Sequence, residues 1–268
     1  MFTILEKSAL APRIHFVLME APLIARKAQA GQFVIIRTSE KGERIPLTIA
    51  DYDREKGTIS LVFQECGKTS SDFARMKQGD HLLDLLGPQG NPTEIKRYGT
   101  AVVVGGGIGV APVYPLARSL REKGNTVVSI VGYRSKEHVF WEDRMRSVSD
   151  RLVICTNDGS YGTKGFVTDA LKGLMLQQRP DIVFAIGPAV MMKAVAQMTR
   201  PAGIATVVSL NSLMVCGMGM CGACRVTVAD KTRFTCMDGP DFDAHQVDFD
   251  LLMKRLETYK SEEGKCGG

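Results

Sequence analysis

Residues 101–112 read AVVVGGGIGVAP, and this segment predicts the fold class of the second half of the chain. The apolar run Ala101–Val104 is typical of a strand buried on both faces of a parallel sheet. The glycines after it predict a tight turn, and the pattern beyond them predicts a helix over about Val113–Lys123. A strand, a glycine turn and a helix in this order form the first unit of a doubly wound α/β sheet.

The glycine turn is a candidate phosphate site. A helix N-terminus carries unpaired N–H groups and the positive end of the helix dipole, so Gly105, Gly107 and Gly109 would let a dinucleotide diphosphate approach them closely. An NAD site usually has an acidic residue at the end of the next strand, whereas Arg134 stands in that region and suits the 2′-phosphate of NADP. NAD(H) and NADP(H) both stay open, as does the alternative that Arg134 is a solvated surface cation.

Strands and helices alternate after this first unit. Further strands are predicted over 126–131, 152–156 and 182–186, and further helices over 141–147, 168–176 and 189–198. Such alternation predicts a doubly wound parallel sheet, which we assign to a nucleotide-binding domain over residues 98–210.

Two loops of this domain follow strands and should lie at the carboxyl edge of the sheet, where ligands bind. They contain the candidate residues Asn157 and Asp158 in one loop and Gly187 and Pro188 in the other. Both have alternatives, because Asn-Asp-Gly-Ser is also a good turn sequence and the methionines after Pro188 are common core residues.

The first 97 residues have a different sequence pattern. Short β-type runs separated by glycines and charged turns occupy 15–19, 33–37, 45–50, 58–63 and 81–85. This pattern predicts an antiparallel β-barrel over residues 1–97, which ends after the turn-rich stretch Gly87–Pro92.

The most specific motif is a cysteine cluster. Cys216, Cys221, Cys224 and Cys236 follow the spacing C-x4-C-x2-C-x11-C, which is typical of a plant-type 2Fe-2S cluster. A structural zinc site is the alternative, but such sites usually combine two C-x2-C pairs and this chain has one. We assign residues 211–247 to an iron–sulfur segment and 248–268 to a helix, over about 248–260, and a tail.

Charge distribution and hydropathy argue against a nucleic-acid-binding, a secreted or a membrane-spanning protein. The net charge of +5 is spread along the chain without a basic, aromatic-rich run, so no nucleic-acid surface is predicted. The N-terminus lacks the pattern of a signal peptide, which predicts a cytoplasmic protein. The uncharged stretches 99–117 and 201–224 contain several glycines, and the second also contains cysteines, so no membrane span is predicted.

The chain resembles the ferredoxin-reductase superfamily. Within it, the similarity is to the electron-transfer subunits of dihydroorotate dehydrogenase, sulfide dehydrogenase and ferredoxin:NADP oxidoreductase. The resemblance spans nearly the whole chain and is carried by Arg44–Thr48, Gly67–Ser70, Leu86–Asn91, Gly105–Pro112, Asn157–Gly165 and the cysteine cluster. Ser209–Val215 before the cluster and Arg225 after it favour the small subunit of the ferredoxin:NADP group.

The resemblance implies an FAD site on the barrel. It places Pro46, Leu47 and Thr48 against the isoalloxazine ring, with the Thr48 hydroxyl near the reactive N5 edge as the catalytic residue. It also places Gly67, Lys68, Thr69 and Ser70 around the FAD diphosphate, although the residues alone indicate only a polar turn there. The superfamily arginine falls one place later than Arg44, so the role of Arg44 stays open.

The function implied is that of an oxidoreductase subunit that moves electrons between NAD(H), FAD and the 2Fe-2S cluster. Its expected partner is a larger flavin and iron–sulfur subunit, through which ferredoxin would be reached, and electron bifurcation is one form that such a complex takes. The alternative is the electron-transfer subunit of dihydroorotate dehydrogenase. A more remote alternative is a non-catalytic redox sensor or zinc module.

Overall fold

The computed structural model describes residues 2–258. The strands are β1 (Phe2–Ala11), β2 (Ile14–Glu20), β3 (Phe33–Arg37), β4 (Ile45–Asp53), β5 (Thr58–Gln64), β6 (His81–Leu82), β7 (Asp84–Gln89), β8 (Thr100–Gly106), β9 (Thr126–Tyr133), β10 (Arg151–Thr156), β11 (Thr163–Lys164), β12 (Ile182–Ile186), β13 (Ala205–Ser209), β14 (Arg225–Val228), β15 (Lys231–Phe234) and β16 (Asp241–Asp243). The helices are α1 (Pro22–Lys27), α2 (Lys68–Arg75), α3 (Val110–Glu122), α4 (Glu142–Ser147), α5 (Val167–Gln177), α6 (Ala189–Thr199), α7 (Thr235–Asp238) and α8 (Phe249–Leu256).

The N-terminal part is the predicted antiparallel barrel, with strand order β6-β1-β2-β5-β4-β3-β7. The strand predicted over 81–85 is in fact two strands, because β6 pairs with β1 while β7 pairs with β3. Leu83 lies between them, and its N–H donates to the carbonyl of Arg37 at 3.1 Å. The chain itself therefore links the two edges of the sheet and nearly closes the barrel.

The second sheet has the order β11-β10-β9-β8-β12-β13-β16 and carries helices on both faces. All its pairings are parallel except that of β16 with β13, so the sheet is mixed rather than wholly parallel. Strand β13 was not predicted, because it lies inside a stretch that we judged only for its lack of charge. The strand order reverses between β8 and β12, which is where α/β sheets of this kind bind ligands.

The cysteine segment is a small unit of its own. It contains the hairpin β14–β15 and the short helix α7, and it packs through Cys224 and Cys236 against Phe33 and Ile35 of the barrel. The helix predicted over 248–260 is α8, which ends at Leu256; the last residues of that range and the predicted tail lie outside the described residues. Within residues 2–258, no helix has the length and apolar character needed to cross a membrane.

Candidate functional site

Strand β4 presents two of the predicted flavin-contacting residues on one face. In the pairing of β3 with β4, Phe33 lies opposite Thr48 and Ile35 lies opposite Pro46. Since paired residues project to the same side of an antiparallel sheet, Thr48 and Pro46 share the face of Phe33 and Ile35. Leu47 alternates to the other face and packs into the barrel core. Leu47 could therefore contact the predicted isoalloxazine ring only through its backbone, whereas Pro46 and Thr48 could also contact it through their side chains.

The segment Gly67–Ser70 is the N-cap and first turn of α2, not a plain polar turn. The buried Ser70 hydroxyl accepts from the N–H groups of Cys66 and Gly67, and the buried Thr69 hydroxyl accepts from the N–H of Glu43. The Ser70 hydroxyl therefore stabilises the turn before α2, and the Thr69 hydroxyl joins α2 to the loop before β4. A Cβ on Gly67 would have nothing within 4 Å, so the helix N-terminus is open to a diphosphate.

Lys7 is a residue of this region that the sequence reasoning missed. Its ammonium donates to the carbonyls of Phe73, at 3.1 Å, and of Ala74 and Met76 at the C-terminal end of α2. A cation there complements the helix dipole, so Lys7 anchors the helix whose other end faces the proposed diphosphate site. Burial lowers the pKa of Lys7, partly offset by Glu65 and Asp80.

Arg44 lies at the edge of this region. Its guanidinium is 3.4 Å from the Asp84 carboxylate, and about half of its side chain is exposed. Arg37 reaches the same carboxylate at 3.6 Å. Arg44 is therefore held by the barrel beside β4, and its role toward a flavin stays a prediction.

The glycine turn after β8 combines packed and open positions. A Cβ on Gly105 would lie 3.1 Å from Cα of Val110, and a Cβ on Gly109 would lie 2.7 Å from the carbonyl carbon of Ile186. Gly107 is different, because it has a φ of +57° and nothing within 4 Å of an added Cβ. The close approach of chain segments requires the first two glycines, while Gly107 faces open space at the start of α3.

The other predicted nucleotide residues gather at the same edge of the sheet. Arg134 follows β9 and is exposed, and residues 2–258 contain no hydrogen-bond or ion-pair partner for its guanidinium. Asn157 and Asp158 follow β10 and are exposed too. The Asp158 carboxylate accepts from the N–H and hydroxyl of Ser160, which lowers its pKa. The loop is therefore a turn stabilised by hydrogen bonds, and it also lies at the carboxyl edge of the sheet.

The loop after β12 completes this edge. Gly187 and the exposed Pro188 lie next to the glycine turn, and the side chain of Met191 approaches both Gly106 and Gly187. Met192, by contrast, is buried in the core between the sheet and its helices, as the alternative interpretation predicted. One methionine of the pair therefore lines the loop region and the other is core.

The four predicted cysteine ligands converge in the loop before β14 and in α7. The sulfur of Cys224 lies 3.2 Å from that of Cys236, and Cys221 bonds Cys216 through its side chain. In the described residues, no group of three or more His, Cys, Asp or Glu side chains is arranged for a single metal ion. The sulfurs instead form two pairs, an arrangement that suits the two iron atoms of a 2Fe-2S cluster.

Backbone N–H groups point at these sulfurs. Those of Met218 and Cys221 donate to Cys216, at 3.5 and 3.4 Å, and that of Gly219 donates to Cys236 at 3.2 Å. Burial alone would raise the pKa of Cys216, but these N–H bonds outweigh it and lower the pKa to about 7. At Cys236, burial and the neighbouring Cys224 raise the pKa to about 12. N–H groups at this position stabilise negative charge on a thiolate or cluster.

A second contact missed from the sequence joins the cysteine segment to the rest of the molecule. The hydroxyl of Thr93, which follows the barrel, donates to the carboxylate of Asp241 at 2.5 Å, and Ser209 of β13 also bonds this carboxylate. Burial raises the pKa of Asp241, and the two hydrogen bonds only partly offset it. Asp241 therefore ties the barrel, the nucleotide sheet and the cysteine segment together.

Comparison with known proteins agrees with this arrangement. Residues 211–248 match the family described as the iron–sulfur cluster binding domain of dihydroorotate dehydrogenase B, and residues 103–197 match the oxidoreductase NAD-binding domain family. These matches confirm the predicted iron–sulfur cluster and the predicted binding of a nicotinamide dinucleotide. They do not support the zinc module.

Two curated relatives and one solved structure are similar to this chain over most of its length. A Thermotoga maritima homolog of the dihydroorotate dehydrogenase B electron transfer subunit is 45% identical over 97% of this chain and 92% of its own length. The electron transfer subunit of Bacillus velezensis is 34% identical over 91% of this chain and 97% of its own. A solved structure of an NADH-dependent reduced ferredoxin-NADP oxidoreductase superposes with a TM-score of 0.95 and 43% identity, covering 100% of this chain and 96% of that one.

The barrel, the nucleotide sheet and the cysteine loop define the chain as an electron-transfer oxidoreductase subunit of ferredoxin-reductase-like fold. The chain belongs to the family of the dihydroorotate dehydrogenase B electron transfer subunits and their homologues.

Proposed function

We propose that the chain is the electron-transfer subunit of a ferredoxin:NADP oxidoreductase type of complex, in which it moves electrons between NAD(H), FAD, a 2Fe-2S cluster and a larger partner subunit. The overall similarity to the solved NADH-dependent reduced ferredoxin-NADP oxidoreductase supports this choice over other members of the family. Electron bifurcation is part of the proposal, because the work on that structure concerns flavin-based bifurcation.

One observation carries the proposal. Strand β3 is a shared wall, since Phe33 and Ile35 contact the cluster ligands Cys224 and Cys236 while the neighbouring β4 presents Thr48 on the same face. Adjacent strands lie only about 4.8 Å apart, so a flavin against β4 and a cluster in the cysteine loop would be close neighbours. Such proximity is what transfer between two redox groups requires.

The chain's own residues would bind and orient these groups. FAD, when bound, supplies the exchange between two-electron nicotinamide chemistry and one-electron cluster chemistry. We assign its ring to the face of Pro46 and Thr48 and its diphosphate to the N-terminus of α2. We assign the dinucleotide diphosphate to Gly107 at the start of α3, with Arg134 and Asn157 at the edge of the same site. Thr48 positions the ring, and no acid–base pair is needed.

The partner subunit would dock over the cysteine loop. This loop carries large apolar side chains that are unusually exposed: Val215 at 59%, Met218 at 41%, Met220 at 81% and Met237 at 52%. An apolar rim around a redox site is typical of a protein interface, and flexible methionines adapt to a partner's surface. The relatives are known as electron transfer subunits, which supports the same heteromeric assembly.

The domain assignments and location are part of the same proposal. We retain residues 1–97, 98–210, 211–247 and 248–268 as the barrel, nucleotide domain, iron–sulfur segment and C-terminal part. We also propose a cytoplasmic location, because cysteines that serve as cluster ligands must stay reduced and that compartment keeps thiols reduced.

The first experiment is a visible absorption spectrum of the anaerobically purified chain, before and after adding NADH or NADPH in separate cuvettes. We expect flavin bands with an iron–sulfur shoulder, both bleached by one nucleotide. In a Cys224→Ser variant we expect the flavin bands to bleach while the iron–sulfur shoulder is absent. A wild-type chain that binds no flavin, or one that neither nucleotide bleaches, would refute the proposal.

A second candidate is the electron-transfer subunit of dihydroorotate dehydrogenase, which the iron–sulfur family match and the names of the whole-chain relatives favour. The two candidates differ in the partner. Affinity purification of the native complex, followed by mass spectrometry and assay with dihydroorotate, separates them. Recovery of a dihydroorotate-oxidising flavoprotein would establish the second candidate, and recovery of a larger iron–sulfur flavoprotein that reduces ferredoxin would establish the first.

A further inference from the structure

A partly buried ion pair connects the barrel to the nucleotide domain. The guanidinium of Arg118 on α3 donates to the carboxylate of Asp51 on β4 at 2.6 Å, and the two side chains are 25% and 21% exposed. A charge-assisted hydrogen bond of this length in a poorly solvated interface is among the stronger polar contacts. It joins residues that are 67 positions apart and belong to different domains.

Aromatic rings and a second arginine extend this contact. Arg118 lies over the rings of Tyr52, at 5.2 Å, and Tyr114, at 5.6 Å, so it sits between one ring from each domain. Arg144 lies over Trp141 at 4.6 Å and over Tyr114 at 5.9 Å. We call this set the interdomain clamp; it consists of Asp51, Tyr52, Tyr114, Arg118, Trp141 and Arg144. Cation–π contacts of partly desolvated arginines add to the ion pair.

The clamp joins the two elements that carry the proposed redox site. Pro46 and Thr48 lie near the start of β4, and Asp51 lies three residues beyond Thr48, about 10 Å along the strand. The pairing of β4 with β5 is irregular between Ile49 and Asp51. Helix α3 begins directly after Gly107–Gly109, and Arg118 lies eight residues into it, about 12 Å along the axis. Helix α3 contains Pro115 and is therefore not ideally regular, but it also packs against β4. A contact at Asp51 and Arg118 within this packed interface helps to set the separation of the two starting points.

Resting on the function proposed above, we infer that the interdomain clamp is a positioning device that holds the Gly107 loop at the working distance from the Thr48 face of β4. None of its residues contacts a cofactor by this inference. Its effect is on the geometry of the nicotinamide relative to the flavin, and displacement by about 1 Å of reacting groups lowers rates by up to about 100-fold.

The test compares Arg118→Leu with Arg121→Leu. Arg121 lies on the same helix and bonds the carbonyl of Ser147 at 2.5 Å and the carboxylate of Asp150 at 3.9 Å, all within the nucleotide domain. The chain has one tryptophan, Trp141, so its fluorescence reports on the clamp without any turnover. Stopped-flow flavin reduction by the effective nucleotide, nucleotide affinity, FAD content and Trp141 emission are measured for each variant.

We expect Arg118→Leu to slow flavin reduction by about 10- to 100-fold and to shift Trp141 emission, with FAD content and nucleotide affinity within about twofold of wild type. Arg121→Leu should match the wild type in all four measurements. Arg118→Lys should recover part of the rate, because it keeps the charge opposite Asp51 but loses the planar group between the rings. A purely structural role would instead remove FAD and lower every measurement together.

Unchanged flavin reduction in Arg118→Leu, or unchanged Trp141 emission, would overturn the clamp. If Arg118→Leu does not fold, Asp51→Asn removes the charge at nearly constant shape and carries the same expectations for rate and emission. If the wild-type flavin is reduced by neither nucleotide, the proposed function has failed. If the wild type is reduced normally and Asp51→Asn behaves like it, only the clamp has failed.

Discussion

Replacing Gly109 by alanine should lower the stability of the folded chain, because backbone atoms of Ile186 and Gly187 occupy the space that the new methyl group needs. Gly109 has a φ of −63°, which alanine adopts freely, so conformational strain is not the cause. The new Cβ would lie 2.7 Å from the carbonyl carbon of Ile186 and 2.9 Å from Cα of Gly187, where ordinary contacts begin at 3.4 Å. The carbonyl oxygen of Ile186 would lie closer still, so the end of β12 must retreat by about 1 Å, and overpacking of this kind costs about 1–3 kcal/mol.

Replacing Gly107 by alanine should mainly weaken nucleotide binding. The residue has a φ of +57° but nothing within 4 Å of an added Cβ. The free energy of unfolding should therefore fall only by the cost of placing alanine in the left-handed conformation, about 1–2 kcal/mol. The methyl group would occupy the open space that we assign to the dinucleotide diphosphate, and loss of close approach should weaken NADH binding at least tenfold, or about 1.4 kcal/mol.

Thermal unfolding without nucleotide and anaerobic NADH titration, both on the FAD-loaded chain, separate the two effects. For Gly109→Ala we expect a lower apparent Tm and weakened binding together, because the moved β12 loop is also part of the nucleotide edge. For Gly107→Ala we expect binding weakened at least tenfold, with a Tm decrease that corresponds to no more than about 1–2 kcal/mol. Wild-type Tm and affinity in Gly109→Ala would refute the steric argument, and wild-type affinity in Gly107→Ala would refute the assignment of the diphosphate.

Three further predictions concern other contacts. Gly217→Ala should lower cluster content, measured as iron per chain, because its φ is +70° and its Cβ would lie 2.5 Å from the side chain of Ile35; a fully loaded variant would contradict this. Lys7→Met should weaken FAD retention on dilution, because α2 loses a cation worth about 1 kcal/mol at its C-terminus, whereas unchanged retention would show that α2 does not depend on it. Burial raises the pKa of Asp241 in the folded chain, so its charged form opposes folding as pH rises. Relative to Asp241→Asn, the wild type should therefore gain stability in urea unfolding as pH falls from neutral toward the ordinary Asp pKa of about 4, and parallel pH curves for the two proteins would contradict this.

The features that could be predicted from the amino-acid sequence are those that depend on local pattern. Cysteine spacing predicted an iron–sulfur segment, which the family match over residues 211–248 confirms, because all four predicted ligands lie within 21 residues, Cys216 to Cys236. The alternation of buried strands with helices after Gly99 identified the nucleotide sheet for the same reason. The barrel was predicted as a class from its short strands, but the sequence did not show that residues 81–89 divide between two partners.

How these parts contact one another follows from long-range packing. Leu47 turns into the barrel while Pro46 and Thr48 turn outward, because strand register sends alternate residues to opposite faces. The bond between Thr93 and Asp241 joins positions 148 residues apart. That between Arg118 and Asp51 joins positions 67 apart. Neither pair has a local signature, since the partners become neighbours only after the barrel, the nucleotide sheet and the cysteine segment have packed together. The same packing places the cysteine loop beside β3.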